Sequence, residues 1–195
     1  MRDLAITQQR QTNVVLRWLV SFLGFPIGGF LADLLFGPVD GPLPAVLGGL
    51  LTGAVLGAVQ VWALGRNRPA PVAWIVATAI GFAVGLSIGA TAVGYESTLT
   101  ALAIQGAICG AAVGAAQAVV LWPRLGRLAL VWPVALAAIW AVGWAITTSI
   151  GVFVDEQFTV FGSSGAIVVT ALTAVLPLAI NRAATDRAAT QASRA

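Results

Sequence analysis

The sequence predicts an all-α integral membrane protein with six transmembrane helices. Its 195 residues are 59% hydrophobic and only 9% charged, whereas soluble domains carry about 25% charged residues. The apolar residues form six blocks, each close to the ~20 residues that cross the ~30 Å hydrocarbon core of a bilayer. All arginines flank the same alternate ends of these blocks, which is the charge asymmetry that orients spans in a membrane.

Short connections separate the predicted spans. The spans cover residues 14–36, 42–64, 71–94, 98–122, 128–153 and 161–180. The connections contain Gly, Pro and Asn, which favour turns, and their shortness makes successive helices antiparallel neighbours. The predicted domains are a cytoplasmic N-terminal segment at 1–13, a six-helix transmembrane domain at 14–180 and a cytoplasmic C-terminal tail at 181–195.

The first predicted hairpin combines a retained span with a glycine-rich one. Its first apolar stretch is longer than the roughly 7–15 residues of a signal-peptide core, so we expect it to stay in the membrane. Pro26 interrupts this span and frees a backbone carbonyl. The second span contains Gly53 and Gly57 on one helical face, followed one turn later by Gln60.

The second predicted hairpin repeats this pattern. Its second span contains Gly110, Gly114 and Gln117, at an offset of 57 residues from their counterparts in the first hairpin. Its first span carries Gly81 and Gly85, which again share one helical face. Small residues at this spacing let helices approach closely in lipid, where hydrophobicity contributes little to helix association.

The third predicted hairpin is a degenerate copy. Its first span keeps a tryptophan, Trp132, that corresponds to Trp18 and Trp74 of the earlier hairpins. Its second span has small residues but no glutamine, and Pro177 stands where a glutamine would be expected. Three copies of a two-helix unit enter the membrane in the same sense, which predicts three parallel two-helix repeats around a pseudo-threefold axis along the membrane normal.

The charges predict that the N and C termini are both cytoplasmic. One side of the predicted membrane domain holds Arg2, Arg10, Arg17, Arg66, Arg68, Arg124, Arg127, Arg182, Arg187 and Arg194. The other side holds Asp33, Asp40, Glu96, Asp155 and Glu156. Because Arg is retained on the cytoplasmic side, only an even number of spans fits this distribution. Arg-rich, Lys-free usage is typical of bacteria, so we expect a multi-pass protein of the cytoplasmic (inner, or plasma) membrane.

The repeated Gly-x-x-x-Gly-x-x-Gln hairpins, with flanking tryptophan and arginine, resemble those of uncharacterised bacterial multi-spanning membrane proteins. The resemblance covers most of the chain through the repeats and implies no function. Mitochondrial carriers also consist of three hairpins, but their Pro-x-Asp/Glu-x-x-Lys/Arg signature does not occur in this sequence.

Six paired glycines are predicted to pack helices together in the manner of a glycine zipper. They are Gly53, Gly57, Gly81, Gly85, Gly110 and Gly114. Contacts with other helices of the same chain are the favoured interpretation. Contacts within a homo-oligomer, with a partner subunit or with lipid are the alternatives.

Polar side chains inside the spans are the candidates for a polar pathway or ligand site. They are Gln60, Gln105, Gln117, Thr147 and Asp33. An amide in hydrocarbon needs a hydrogen-bond partner, so these groups either fasten helices together or face a common axis. Asp33 is the only acid in a predicted span, where a carboxylate is a candidate for binding a cation or proton. Its place near the outer end equally fits contact with interfacial water.

The composition argues against catalysis. Histidine and lysine are absent, which excludes His-ligated metals or haem, a Ser-His dyad and a Schiff-base lysine. We therefore expect no enzyme, no metal and no cofactor, and the lack of a basic stacking surface argues against nucleic acid as a partner.

Two functions then stay open. The first is a scaffold or accessory subunit that binds protein, membrane lipid or an apolar ligand through its glycine-rich helix faces. The second is a small channel or transporter with a polar pathway near Gln60, Gln105 and Gln117.

Overall fold

Most residues that the computed structural model of the protein describes, 2–151 and 156–193, are helical. No strand occurs in these ranges, which confirms the predicted all-α class. Five helical stretches are long and apolar enough to cross a membrane: Gln11–Phe36, Pro42–Asn67, Pro71–Ala92, Leu99–Ser149 and Ser163–Ala192. These stretches are consistent with a multi-pass membrane protein.

The helices are α1 (Arg2–Val20), α2 (Gly24–Phe36), α3 (Pro42–Leu64), α4 (Pro71–Ala92), α5 (Leu99–Leu125), α6 (Val131–Ser149), α7 (Ser163–Leu172) and α8 (Val175–Ala192). Short connections join the helices from α1 to α6 and join α7 to α8. Tight 3-10 turns occupy Ser21–Leu23, Gly65–Asn67 and Gly126–Leu130. The predicted first span therefore contains an irregular turn between α1 and α2.

Prolines explain where the helices are interrupted. A proline clashes with the carbonyl four residues before it and leaves that carbonyl without its helical donor. The carbonyl belongs to Phe22 for Pro26 and to Thr173 for Pro177, and both residues lie in a turn between two helices. Pro133 similarly follows the 3-10 turn that separates α5 from α6.

The longest apolar stretch, which comprises α5 and α6, folds back on itself. Gly114 of α5 lies beside Pro133, and Gly106 lies beside Trp144. Because positions late in α5 meet positions early in α6, the two helices are antiparallel. The connection contains Gly126, whose φ of +53° is a left-handed conformation that glycine adopts without strain.

The helices form a closed ring in chain order. α2 packs on α3, α3 on α4, α4 on α5, α5 on α6 and α6 on α7. α7 then contacts α1, α2 and the turn between them, while α8 contacts α1 and α5. The end of the chain therefore meets its beginning, and the side chains that point inward lie around a common axis.

The start of the predicted sixth span is not helical. α7 begins at Ser163, and Thr159, Val160 and Phe161 are buried in the irregular segment before it. A Cβ on Gly29 would lie 2.8 Å from a methyl group of Val160, so this glycine leaves space for the segment. Irregular backbone of this kind is tolerated away from water only when protein surrounds it.

Both ends of the chain are helical beyond the predicted spans. α1 begins within the predicted N-terminal segment, and α8 continues through most of the predicted C-terminal tail. The tail is rich in alanine, the strongest helix former, which accounts for its helical conformation. Phe153, the predicted end of the fifth span, lies outside the described residues, as do Asp155 and Arg194.

Candidate functional site

Three tryptophans donate hydrogen bonds across helix boundaries. The pairs are Trp74 Nε1 to Gln60 Oε1 at 3.0 Å, Trp132 Nε1 to Gln117 Oε1 at 2.8 Å and Trp18 Nε1 to Thr173 Oγ1 at 3.1 Å. An indole N–H can only donate, so each acceptor must present an oxygen. This requirement sets the orientation of both glutamine amides.

Thr173 is the acceptor of the third tryptophan, in a role that the two glutamines have in the other pairs. It follows Gln117 by 56 positions, close to the spacing of 57 between Gln60 and Gln117. Pro177, where a glutamine was sought, lies in α8 and accompanies the interruption before that helix. Position 177 follows Gln117 by 60 positions, so Thr173 is closer than Pro177 to the repeat offset of 57.

A hydrogen-bond network joins the two predicted glutamines. Gln117 Nε2 donates to Thr78 Oγ1 at 2.9 Å and to Gln60 Oε1 at 3.4 Å. Thr78 Oγ1 in turn donates to the Trp74 carbonyl oxygen at 2.8 Å. Gln117 is buried and Gln60 is half-buried. The network therefore links α3, α4 and α5 through side chains that would otherwise be unsatisfied in an apolar interior.

A small internal cavity, termed the axial cavity, adjoins this network. Its volume is about 10 Å³, which is room for about one water molecule. Its polar lining consists of Ser21, Gln60, Gln117, Thr170 and Thr173, from all three predicted hairpins. Thr170 is only 3% exposed, and its hydroxyl has no hydrogen-bond partner among the described residues.

Five buried aromatic side chains, termed the aromatic cluster, fill the interior beside the axial cavity. The ring centroid of Trp140 is 5.8 Å from that of Phe25 and 5.1 Å from that of Phe82. Phe161 lies 5.5 Å from Trp140 and 6.0 Å from Trp144. These four pairs meet edge to face, an arrangement that favours aromatic contacts. The cluster presents a dense apolar barrier next to the polar network.

The other predicted pathway residues lie elsewhere. Gln105 is 5% exposed and lines a second small cavity beside Glu96. Thr147 is buried against Gly165 of α7. Asp33 is half-buried near the end of α2. The structure therefore brings Gln60 and Gln117 together but does not bring Gln105, Thr147 or Asp33 to them.

The six predicted packing glycines all lie against other helices of the same chain. A Cβ on Gly53 would lie 2.7 Å from the Cα of Ala79, and one on Gly81 would lie 2.8 Å from the Cα of Val113. The remaining close pairs are Gly57 with Ile75, Gly85 with Cys109, Gly110 with Leu136 and Gly114 with Pro133. Such distances leave no space between the helices for another molecule. The glycine faces are therefore covered by the bundle and do not offer the binding surface that the sequence analysis expected.

Arginines at the basic ends of the helices contact backbone carbonyl groups. The Arg17 guanidinium donates to the Trp62 carbonyl oxygen and lies 4.9 Å from the centre of that indole ring. Arg187 Nη1 donates to the Pro123 carbonyl oxygen at 3.2 Å. Cations at these positions offset the partial negative charge of helix C-termini.

Three threonines of the site were not singled out from the sequence. The position of Thr173 relative to Gln117 was a usable signal. No sequence signal marked Thr78 or Thr170. A hydroxyl in a helix commonly bonds to the backbone of its own helix, so a threonine in a span does not by itself predict a contact with another helix.

The long apolar helices are consistent with a helical multi-pass membrane protein, and the buried polar network joins several of them. No protein-family model, curated protein or solved structure matches the chain. The particular function must therefore be argued from the geometry of the bundle.

Proposed function

We propose that the protein is a non-catalytic scaffold or accessory subunit in a bacterial cytoplasmic membrane. The observation that carries the proposal is the aromatic cluster, which fills the interior and leaves a cavity of about 10 Å³ beside it. A bundle that is closed in this way is suited to offering its outer surface to other molecules. It is poorly suited to moving a solute through its centre.

The outer surface supplies the binding faces in this proposal. Large aliphatic side chains are exposed on several helices, among them Leu34, Val72, Val119, Leu128 and Val134. In a bilayer such side chains contact lipid tails, a second copy of the chain or a helix of a partner subunit. In this proposal the glycines allow the helices of the bundle to pack closely, and the exposed aliphatic faces bind lipid, a second copy or a partner subunit.

The proposed topology has six spans, with α5 and α6 crossing separately. Their antiparallel packing supports this count. The contacts between the arginine-bearing connections and α8 at one side of the bundle also support it. Arg124 Nη2 donates to the Arg68 carbonyl oxygen at 3.0 Å, and Asn67 Nδ2 donates to Asn181 Oδ1 at 2.7 Å. The three tryptophan–acceptor pairs support three parallel repeats, and the arginine distribution supports cytoplasmic termini.

Native mass spectrometry of the protein, gently extracted from its own membrane, tests the scaffold proposal. We expect a stoichiometric protein partner, a second copy or a retained apolar ligand or lipid. A monomeric particle with no retained molecule, obtained under conditions that preserve known membrane complexes, would contradict the proposal.

A small channel or transporter is the second candidate. The convergence of Gln60 and Gln117 at the axial cavity favours it, because repeat-related polar groups on an axis are typical of substrate pathways. In this alternative the aromatic cluster would have to move apart to open a path.

Flux assays in proteoliposomes separate the two candidates. The variant to compare with the unmodified protein carries Gln60→Leu and Gln117→Leu together. Under the scaffold proposal it loses some stability and neither protein conducts a solute. Solute flux in the unmodified protein that the double variant lacks would favour the channel or transporter.

A further inference from the structure

We propose that the axial cavity is a hydration site, in which one ordered water molecule joins Thr170 to Gln60 and Ser21. The water would connect the last hairpin of the chain to the first at the point where the ring of helices closes. The inference does not depend on the scaffold role, because a bundle with either proposed function could contain this site.

Thr170 provides the strongest requirement for a bound molecule. Thr170 lines the axial cavity, and its buried hydroxyl group makes no hydrogen bond with any described residue. A hydroxyl in a helix can usually bond to the carbonyl one turn before it, as Thr173 does with the Val169 carbonyl at 2.8 Å. Thr170 instead leaves its hydrogen-bonding capacity available to an occupant of the cavity.

Gln60 provides a donor to the same cavity. Its Oε1 atom already accepts bonds from Trp74 and Gln117, which leaves the Nε2 atom as the free end of the amide. Nε2 donates to no residue within 2–151 or 156–193. Because Trp74 requires the oxygen at its present position, the amide cannot be flipped to remove this unused donor.

Ser21 completes the set of polar groups. Its Oγ atom donates to the Trp18 carbonyl oxygen at 2.6 Å and can still accept a hydrogen bond, since a hydroxyl oxygen has two lone pairs. Thr170, Gln60 and Ser21 can thus offer a water both donors and acceptors. Buried waters typically make about three hydrogen bonds.

The size of the cavity determines the class of ligand. A volume of about 10 Å³ holds about one water molecule and excludes larger polar solutes. The absence of a charged side chain from its lining also makes it unsuitable for an ion. Water is therefore the ligand that satisfies the volume and the polar groups together.

Thr52 is a second buried threonine, and it lies outside both of the cavities described above. It is fully buried, and its hydroxyl also has no partner among the described residues. It lines neither the axial cavity nor the one beside Gln105. A Cβ on Gly28 would lie only 3.0 Å from its Cα, so α2 and α3 meet directly here. Thr52 is therefore the control residue for Thr170, because both hydroxyls lack a partner and only Thr170 lines the axial cavity.

The direct test is a structure of the complete chain in lipid nanodiscs, at a resolution that shows ordered water. We expect a density peak within hydrogen-bond distance of Thr170 Oγ1 and Gln60 Nε2, and none beside Thr52 Oγ1. An empty axial cavity at that resolution would overturn the proposal.

Thermal unfolding of Thr170→Val and Thr52→Val gives a second, independent test. Valine has nearly the shape of threonine without the hydroxyl, so each change removes only hydrogen-bonding capacity. We expect Thr170→Val to lower the midpoint by about 2–4 °C, because a water loses a partner. Thr52→Val should raise the midpoint or leave it unchanged. A rise for both variants would mean that both hydroxyls are dry and would refute the hydration site.

Discussion

Gln117 makes more side-chain hydrogen bonds than any other residue of the described network. It accepts from Trp132 and donates to Thr78 and Gln60, and it is only 2% exposed. The partners belong to α6, α4 and α3, so one side chain of α5 links three other helices. Interhelical hydrogen bonds in membranes contribute about 0.6 kcal/mol on average, but the loss of this residue would leave several buried groups unpaired at once.

We predict that Gln117→Leu lowers the free energy of unfolding by about 1–3 kcal/mol, since the Trp132 N–H loses its acceptor and the Thr78 hydroxyl loses a donor. Gln60→Leu should have a smaller effect, because Gln60 is half-buried and takes part in two hydrogen bonds, whereas Gln117 takes part in three. Unfolding in a denaturing-detergent titration measures both. An equal or larger effect of Gln60→Leu would contradict the central role of Gln117.

At the scale of single elements, the fold depends on how closely successive helices approach. Most glycines of α3 face α4, those of α4 face α5, and those of α5 face α6. Each helix therefore uses its small residues against the helix that follows it in the chain. Because lipid supplies little hydrophobic driving force between helices, close backbone packing is the main source of attraction.

We predict that Gly110→Ala destabilises the protein by about 1–3 kcal/mol, the range for overpacking in a dense interior. Its new Cβ would overlap the Leu136 carbonyl oxygen, which belongs to backbone and cannot rotate away. Gly41→Ala is the control, because its Cβ would meet nothing closer than Pro44 Cδ at 4.0 Å. That change should stay within about 0.5 kcal/mol. Similar unfolding free energies for the two variants would disprove the packing argument.

The non-helical segment before α7 is the least regular element of the described interior. It places Phe161 in the aromatic cluster while Val160 lies against Gly29 of α2. Val39 N donates to the Gln157 carbonyl oxygen at 2.9 Å, which anchors the start of the segment to the connection after α2. An apolar run of this kind predicts the beginning of a span. The neighbouring Gly29 leaves space for the segment to enter the bundle without forming a helix.

For the whole molecule, the aromatic cluster connects all three predicted hairpins. Phe25 comes from the first, Phe82 from the second, and Trp140 with Phe161 from the third. These contacts join residues far apart in the chain, so they form only when the ring of helices is complete. The cluster is therefore expected to report on closure of the whole bundle.

We predict that Phe161→Ala destabilises the bundle by about 3 kcal/mol, the lower end of the range for truncating a buried aromatic. Phe30→Ala serves as the control, because Phe30 is 66% exposed and loses little packing. Reversible unfolding in detergent measures the difference. If both variants unfold alike, the aromatic cluster does not hold the hairpins together.

The proposed topology predicts opposite labelling of two connections. A cysteine at Asp40→Cys should react with an impermeant maleimide from outside the cell, whereas one at Arg127→Cys should react only after the cytoplasmic side is opened. Cys109 is buried and should stay unlabelled in the folded protein. Labelling of both new cysteines from the same side would rule out an arrangement in which all arginines are cytoplasmic.

The helical class and the apolar stretches were determined by the sequence itself. Hydropathy, span length and alanine content act locally, so they can be read without knowing which helices meet. The repeated glycines and glutamines also marked the positions of close packing and of the polar network. These features depend on spacing along one helix, which the helical period of 3.6 residues converts directly into a shared face.

Only the tertiary structure decided which polar groups meet around the axis. Trp18 and Thr173 are separated by 155 positions, and their bond depends on closure of the ring and on the interruption before α8. The same closure creates the axial cavity, leaves Thr170 facing it and brings Phe161 into the aromatic cluster. Such contacts depend on the rotation and depth of every helix relative to the others, and no local property of the chain specifies those relations.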